Sequence, residues 1–325
     1  MSTLTAPAPA PAPARASRLR GTAWVVVRQH RTVLSVAAGA LVLSAAVAAG
    51  LRIWFEATPP DDFDRNLFPR SDVRSALVVI VEYAGLAALL LPLLVAAVVA
   101  GPVVARELES GTYKLAWSQS VTPLRWFQAK VTVPAVTVTV LTAALTGVFR
   151  LAWEPVSTNT HLRWYSRHVF LAVGPTAIAY GLLAVAVGAL TGLLVRRTLA
   201  AMAVAGTVTG AVLLAMSSRW GSLWTTTTGT RTDPDSFPVM DDWLVTDTGL
   251  LTSSGERLGD ERLGDMCRVV DRPACFAEHG ITGRWYDYHP ASHLWPLQLV
   301  ETTVVLAIAA VAAYAAFRIF RRRHG

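Results

Sequence analysis

Long uncharged apolar runs alternate with short polar stretches along the chain, and the lengths of the runs carry the first inference. A bilayer core requires roughly 20 apolar residues of helix. Six runs reach that length. The first is Thr32 to Leu51, held between Arg31 and Arg52, and the second lies between Arg74 and Arg106 with only Glu82 inside it. The third runs from Val131 to Phe149 and the fourth from Val169 to Val195. Arg196 and Arg197 make a tight turn before the fifth, Thr198 to Met216, and the sixth spans Leu297 to Phe317, closed by Arg318. The pattern predicts an all-α membrane protein with six transmembrane helices. The parts in order are a disordered Pro/Ala tail (1–14), an amphipathic helix at the headgroup level (15–31), helices 1–5 (32–216) with an elbow after helix 2 (106–130), a long loop domain (217–297), and helix 6 with a basic tail (298–325).

Charge orients these spans. The 15–31 segment has five arginines and no acid, the 106–130 elbow has four basic residues against two acids, and the tail after Phe317 has four arginines. The 52–75 loop has four arginines against five acids, and 217–297 has seven arginines against twelve acids, a net of −5. The positive-inside rule therefore puts both termini and the elbow in the cytoplasm and 217–297 outside. One loop dissents: 150–168 carries three arginines and one glutamate yet must face outward. Only 16% of residues are charged, against about 25% in soluble domains, which excludes a soluble enzyme. The pI of 9.9 reflects loop arginines rather than a basic soluble unit, so no nucleic-acid partner is expected. The glycines Gly181, Gly188, Gly192, Gly206 and Gly210 are expected at close helix contacts.

Catalytic chemistry is hard to find. No GxxxxGK[ST] run exists to cradle nucleotide phosphates, and HExxH, GxSxG and CxxC are missing too. His289 and His293 stand four apart, but Pro290 lies between them and no third ligand is near, so an interfacial loop is expected rather than a metal site. No cofactor is implied. Cys267 and Cys275 fall in the outer loop, either as a disulfide or as two free thiols. Glu82 and Glu301 lie inside apolar spans, where charge is rare. Both are placed to line an outward vestibule or pair with Arg150, and equally to reach headgroup water as interfacial carboxylates.

The most informative stretch is VVARELESGTYKLAWSQSVTPLRWFQAK, 103–130. Arg106 to Glu109 continue the second helix out of the bilayer, and Gly111 breaks it. Thr112 to Gln119 suit a short amphipathic helix showing Leu115, Ala116 and Trp117 at the surface. Thr122-Pro123 restarts the chain, with the hydroxyl as N-cap and proline at the first helical position. Arg125, Trp126 and Lys130 then anchor the third span at the interface.

At these residues the sequence resembles the type-2 ABC transporter permease family, which carries an acidic residue shortly before a Gly-Thr pair after its second span. The matching residues are Glu107, Glu109, Gly111 and Thr112. The continuation LAWSQSVTPLRWFQAK is similar to one subgroup, and YHPASHLWPLQLVET at 288–302 is similar to that subgroup's aromatic, proline-rich approach to its last span. The resemblance implies the membrane subunit of a bacterial exporter, multi-pass in the cell membrane. It would pair with a second permease copy or a homologous permease and dock a separate ABC ATP-binding subunit on the elbow. Glu107 and Glu109 would bear the coupling contact, and no residue of this chain would be catalytic. A rival reading is a stand-alone membrane sensor or assembly factor that binds a ligand through 217–297.

Overall fold

Helix α1 covers Arg31–Ala57 and α2 covers Asp72–Leu94. A computed structural model of the protein describes residues 27–28, 31–57, 72–118, 122–235, 242–259 and 272–324. The expected 1–14 tail and nearly all of the 15–31 helix lie outside the described residues. Helix α2 passes through a π-helical turn, Val95–Ala100, into α3, Gly101–Ser110. Pro92 and Pro102 each lack an amide donor, so the ladder is weakened on both sides of that wider turn. Helices α4 (Tyr113–Ser118) and α5 (Pro123–Trp153) follow, then α6 (Arg167–Ala172), α7 (Thr176–Val195) and α8 (Thr198–Arg219). Helix α9 is Arg272–Glu278 and α10 is Leu294–His324.

Among the described residues six helical stretches are long and apolar enough to cross a membrane: Leu34–Ala57, Arg74–Ser110, Pro123–Val156, Thr176–Val195, Thr198–Ser222 and Ala291–His324. They coincide with the six apolar runs, but the second, third and sixth outrun the hydrophobic pattern. At 1.5 Å per residue the 37 residues of Arg74–Ser110 reach about 55 Å, so this helix projects well beyond a ~30 Å core. Helix α7 is apolar on every side and sits at the centre, with 72% of its window buried against 6% for the first span. Glycine makes that position possible. A Cβ on Gly188 would stand 2.4 Å from the Ala100 Cβ and 2.6 Å from the Ala100 carbonyl carbon, so α7 and the π turn meet backbone to backbone. The α7–α8 connection is the expected Arg-Arg turn, with Arg196 left-handed at φ 54° and Arg197 extended.

The all-α expectation is corrected in 217–297. Strands β1 (Thr227–Arg231), β2 (Leu244–Thr252), β3 (Arg257–Gly259) and β4 (Ile281–His289) form an antiparallel sheet in the order β1-β4-β2-β3. Threonine, isoleucine and aromatic side chains favour this pleated surface. Central β4 buries Ile281, Trp285 and Tyr286 between neighbours on both sides, pairing Trp285 with Thr230 and with Gly249. The charge of the segment masked its strand periodicity. The sheet sits at the end of the bundle opposite the elbow. It is tied to the 150–168 stretch by Arg163 on Asp242 (3.1 Å) and by the Trp164 indole donating to the Asp242 carbonyl (2.8 Å).

Candidate functional site

At the elbow, Gly111 ends α3 with φ 74°, a left-handed turn that glycine adopts without strain. Thr112 stands beyond it, its hydroxyl 2.9 Å from that of Ser110, so the Gly-Thr pair closes the corner locally. The first turn of α4 is held by Lys114 N–H on the Gly111 carbonyl (3.1 Å). Thr122 caps α5 as expected, its hydroxyl accepting from the Arg125 amide.

Both elbow carboxylates have partners within the chain, Glu107 half-buried and Glu109 at the exposed surface. Glu107 accepts from the Trp126 indole at 3.0 Å and forms an ion pair with Lys130, whose side chain is only 6% exposed. Glu109 on α3 accepts from the Thr198 amide (2.8 Å) and hydroxyl (2.5 Å), so it caps the N-terminus of α8 from another helix. Around this clamp lies an aromatic cluster. Phe320 of α10 stacks on Phe127 (centroids 4.5 Å apart) and on Trp126, and Trp117 meets Tyr113, Trp126 and Phe320 edge-on. Helices α3, α4, α5 and α10 are thereby joined into one unit. Its outward face is made by Thr112, Lys114, Leu115 and Ser118, all exposed. Sequence reading found the elbow and its carboxylates but not their partners. Glu107 and Lys130 are 23 positions apart and Glu109 and Thr198 are 89 apart, separations with no periodic signal.

The intramembrane acids part ways. Glu301 is fully buried on α10 and faces neither headgroup water nor Arg150. Arg167 of α6 grips it with both terminal nitrogens, at 2.8 and 2.5 Å, and the Tyr180 hydroxyl donates to it at 2.8 Å. The Arg167 Nε reaches the Ser217 hydroxyl at 3.0 Å, so four helices meet at this pair. Arg150 instead lies over the Trp295 ring. One turn away Gln298 bonds the Phe170 carbonyl and the Thr176 hydroxyl. Glu82 is half-buried on α2 near His168. Burial holds His168 below the ordinary histidine range, and the Glu82 charge opposes that shift.

The remaining candidates carry less. His289 and His293 place their Nδ1 atoms 3.0 Å apart, but the His289 Nε2 is occupied by the Gly221 carbonyl. Among the described residues no group of three or more metal-binding side chains occurs. Cys267 lies outside the described residues. An apolar cavity of ≈ 470 Å³ opens between α1, α2, α5 and α7, with Val47, Val81, Leu91 and Phe149 in its walls.

Six membrane-length helices, with a clamped elbow between the second and the third, make this a multi-pass membrane protein. Residues 69–220 match the family described as ABC-2 membrane transporter related, a similarity that supports the ABC-2 type permease family for that stretch. Its members are membrane pathway subunits that work with ATP-binding subunits and are generally not catalytic themselves. The matched stretch holds α2 to α8, including the elbow and Arg167, while the sheet and Glu301 fall outside it. No curated protein matches the chain in sequence.

Proposed function

We propose that this chain is the permease subunit of an ATP-driven exporter in a bacterial cell membrane, working as a dimer of permeases and coupled to a separate ATP-binding subunit at the elbow. The observation that carries the reading is the clamp. A load applied to α4 passes through Glu107, Lys130, Trp126 and Phe320 to α3, α5 and α10, and through Glu109 to the start of α8. From α3 it reaches α2 through the π turn, where the helix ladder is weakest. Closure of the ATP-binding subunits would push the elbow and tilt these helices around α7. Glu82 keeps the place of a pathway-lining carboxylate in this reading, and a disulfide between Cys267 and Cys275 would brace the outer domain. Glu107, Glu109, Gly111 and Thr112 keep the coupling role in this reading: Glu109 and Thr112 are exposed beside Lys114 and Leu115, and Glu107 braces the elbow from within.

The orientation follows from charge, with the elbow cytoplasmic and the sheet outside. The 150–168 loop still dissents by its arginine count, although Arg163 and Arg167 are each paired with a carboxylate, Asp242 and Glu301. An arginine paired in this way adds no net charge to the outer face.

The test co-expresses the chain with the ATP-binding subunit encoded beside it and measures co-purification and ATPase activity in vesicles. Leu115→Asp and Lys114→Glu, both on the exposed face, should weaken docking by about 2 kcal/mol or more or uncouple hydrolysis from transport, while the isolated chain keeps its thermal stability. Unchanged docking and coupling in both variants would move the weight to the sensor reading. ATPase activity in the isolated chain would also overturn the proposal.

A further inference from the structure

The C-terminal half of α10 carries a feature that transport coupling does not use. The packed face of this helix is Val305, Ala309, Ala312, Ala316 and Phe320, all buried. Diametrically opposite, Ala307, Val311, Tyr314, Arg318 and Arg321 follow one another at helical spacing, and all are exposed. Val311 is 69% and Tyr314 64% exposed, so this stripe faces the surroundings of the bundle rather than a neighbouring helix. Along it the chemistry changes in order from apolar to tyrosine to arginine.

Tyr314, Phe317, Arg318, Arg321 and Arg322 enclose a surface hollow of ≈ 580 Å³. Arg318 donates to the Tyr314 hydroxyl at 2.9 Å, which leaves the hydroxyl proton available to a further acceptor. Among the described residues none of these three guanidiniums meets a carboxylate, whereas Arg52, Arg163 and Arg167 at the other end of the bundle all do. Arg323 points elsewhere, donating to the Leu193 carbonyl on the packed side. The two described acids of the elbow end, Glu107 and Glu109, are already engaged by Lys130 and Thr198. The hollow is therefore a donor-only site with an apolar track leading into it.

We infer that this hollow binds the phosphate headgroup of an anionic glycerophospholipid, with an acyl chain lying along Val311 and Ala307. Guanidinium forks match phosphate oxygens bidentately, and basic clusters at a helix end attract anionic lipid. The apolar track continuous with the arginines favours a lipid over a soluble phosphate, which would have no use for it.

The test uses the full chain in nanodiscs of phosphatidylcholine with phosphatidylglycerol, with retained lipid counted by native mass spectrometry and thermal unfolding measured alongside. Wild type should retain phosphatidylglycerol and unfold at higher temperature than in phosphatidylcholine alone. The triple variant Arg318→Gln, Arg321→Gln, Arg322→Gln should retain it about tenfold less, while Arg323→Gln retains it as wild type does. If the triple variant fails to fold, Tyr314→Phe and single Arg321→Gln take its place, each with reduced retention expected. Equal retention in the arginine variants overturns the inference. Full displacement of the lipid by glycerol phosphate, with the same thermal protection, overturns it in favour of a soluble phosphate. Unchanged lipid retention with loss of the ATP-binding subunit overturns it in favour of protein docking.

Discussion

At the scale of single residues, the ion pair of Arg167 with Glu301 is the interaction on which most depends. Both charges are out of water, and only mutual pairing plus the Tyr180 and Ser217 hydroxyls makes that tolerable. Glu301→Gln keeps the shape but leaves the guanidinium uncompensated, and should lower unfolding stability in detergent by about 3–5 kcal/mol. Replacing both partners, Arg167→Met with Glu301→Leu, should recover most of that loss. A double variant losing the sum of the two single losses would show that the pair is not coupled. Sequence alone marked Glu301 as anomalous because an acid stood in an apolar run. It did not identify Arg167, which lies 134 positions away in a loop that looked merely too positive.

At the scale of elements, the same residue type does opposite things in two helices. Gly188 on α7 touches the backbone of the π turn, while an added Cβ at Gly147 on α5 meets nothing within 4 Å. Gly188→Val should therefore cost about 1–3 kcal/mol and reduce folded yield, since backbone must move to admit the side chain. Gly147→Ala should be neutral or stabilise by about 0.5–1 kcal/mol, because a helix interior disfavours glycine. Thermal unfolding by size-exclusion fluorescence distinguishes them, and equal losses at both positions would contradict the close α7 contact. All five glycines expected at helix contacts have a neighbour within 3.5 Å of an added Cβ, from Gly188 at 2.4 Å to Gly206 at 3.5 Å. Composition pointed to close packing, and the crossing geometry decided how close each approach is.

For the whole molecule, the sheet and the elbow occupy opposite ends of the bundle, so a single labelling site reports the orientation of both. Ser253 is exposed in the turn after β2, and the test is made in a background lacking Cys267 and Cys275. Ser253→Cys should react with a membrane-impermeant maleimide on intact cells, with that background alone as the blank. Labelling only after lysis would invert the topology and move the elbow outside, where no ATP-binding subunit could reach it.

The number of spans, the Gly111 break, the Thr122 cap and the Arg196-Arg197 turn were set by the sequence itself. Each depends on local facts: the length of an apolar run, the absence of a Cβ, a hydroxyl placed three residues before an open amide. The strands in 217–297 were locally encoded too, in threonine and aromatic runs, but charge and turn residues diluted the alternation. Tertiary structure alone decided that Glu107 pairs with Lys130 and Glu109 caps α8, that Glu301 is neutralised by Arg167, and that α7 rather than α1 is the centre of the bundle. These are matters of which side of a helix meets which neighbour. A buried charge must find its opposite wherever the fold brings one, and that pairing leaves no periodic trace along the chain.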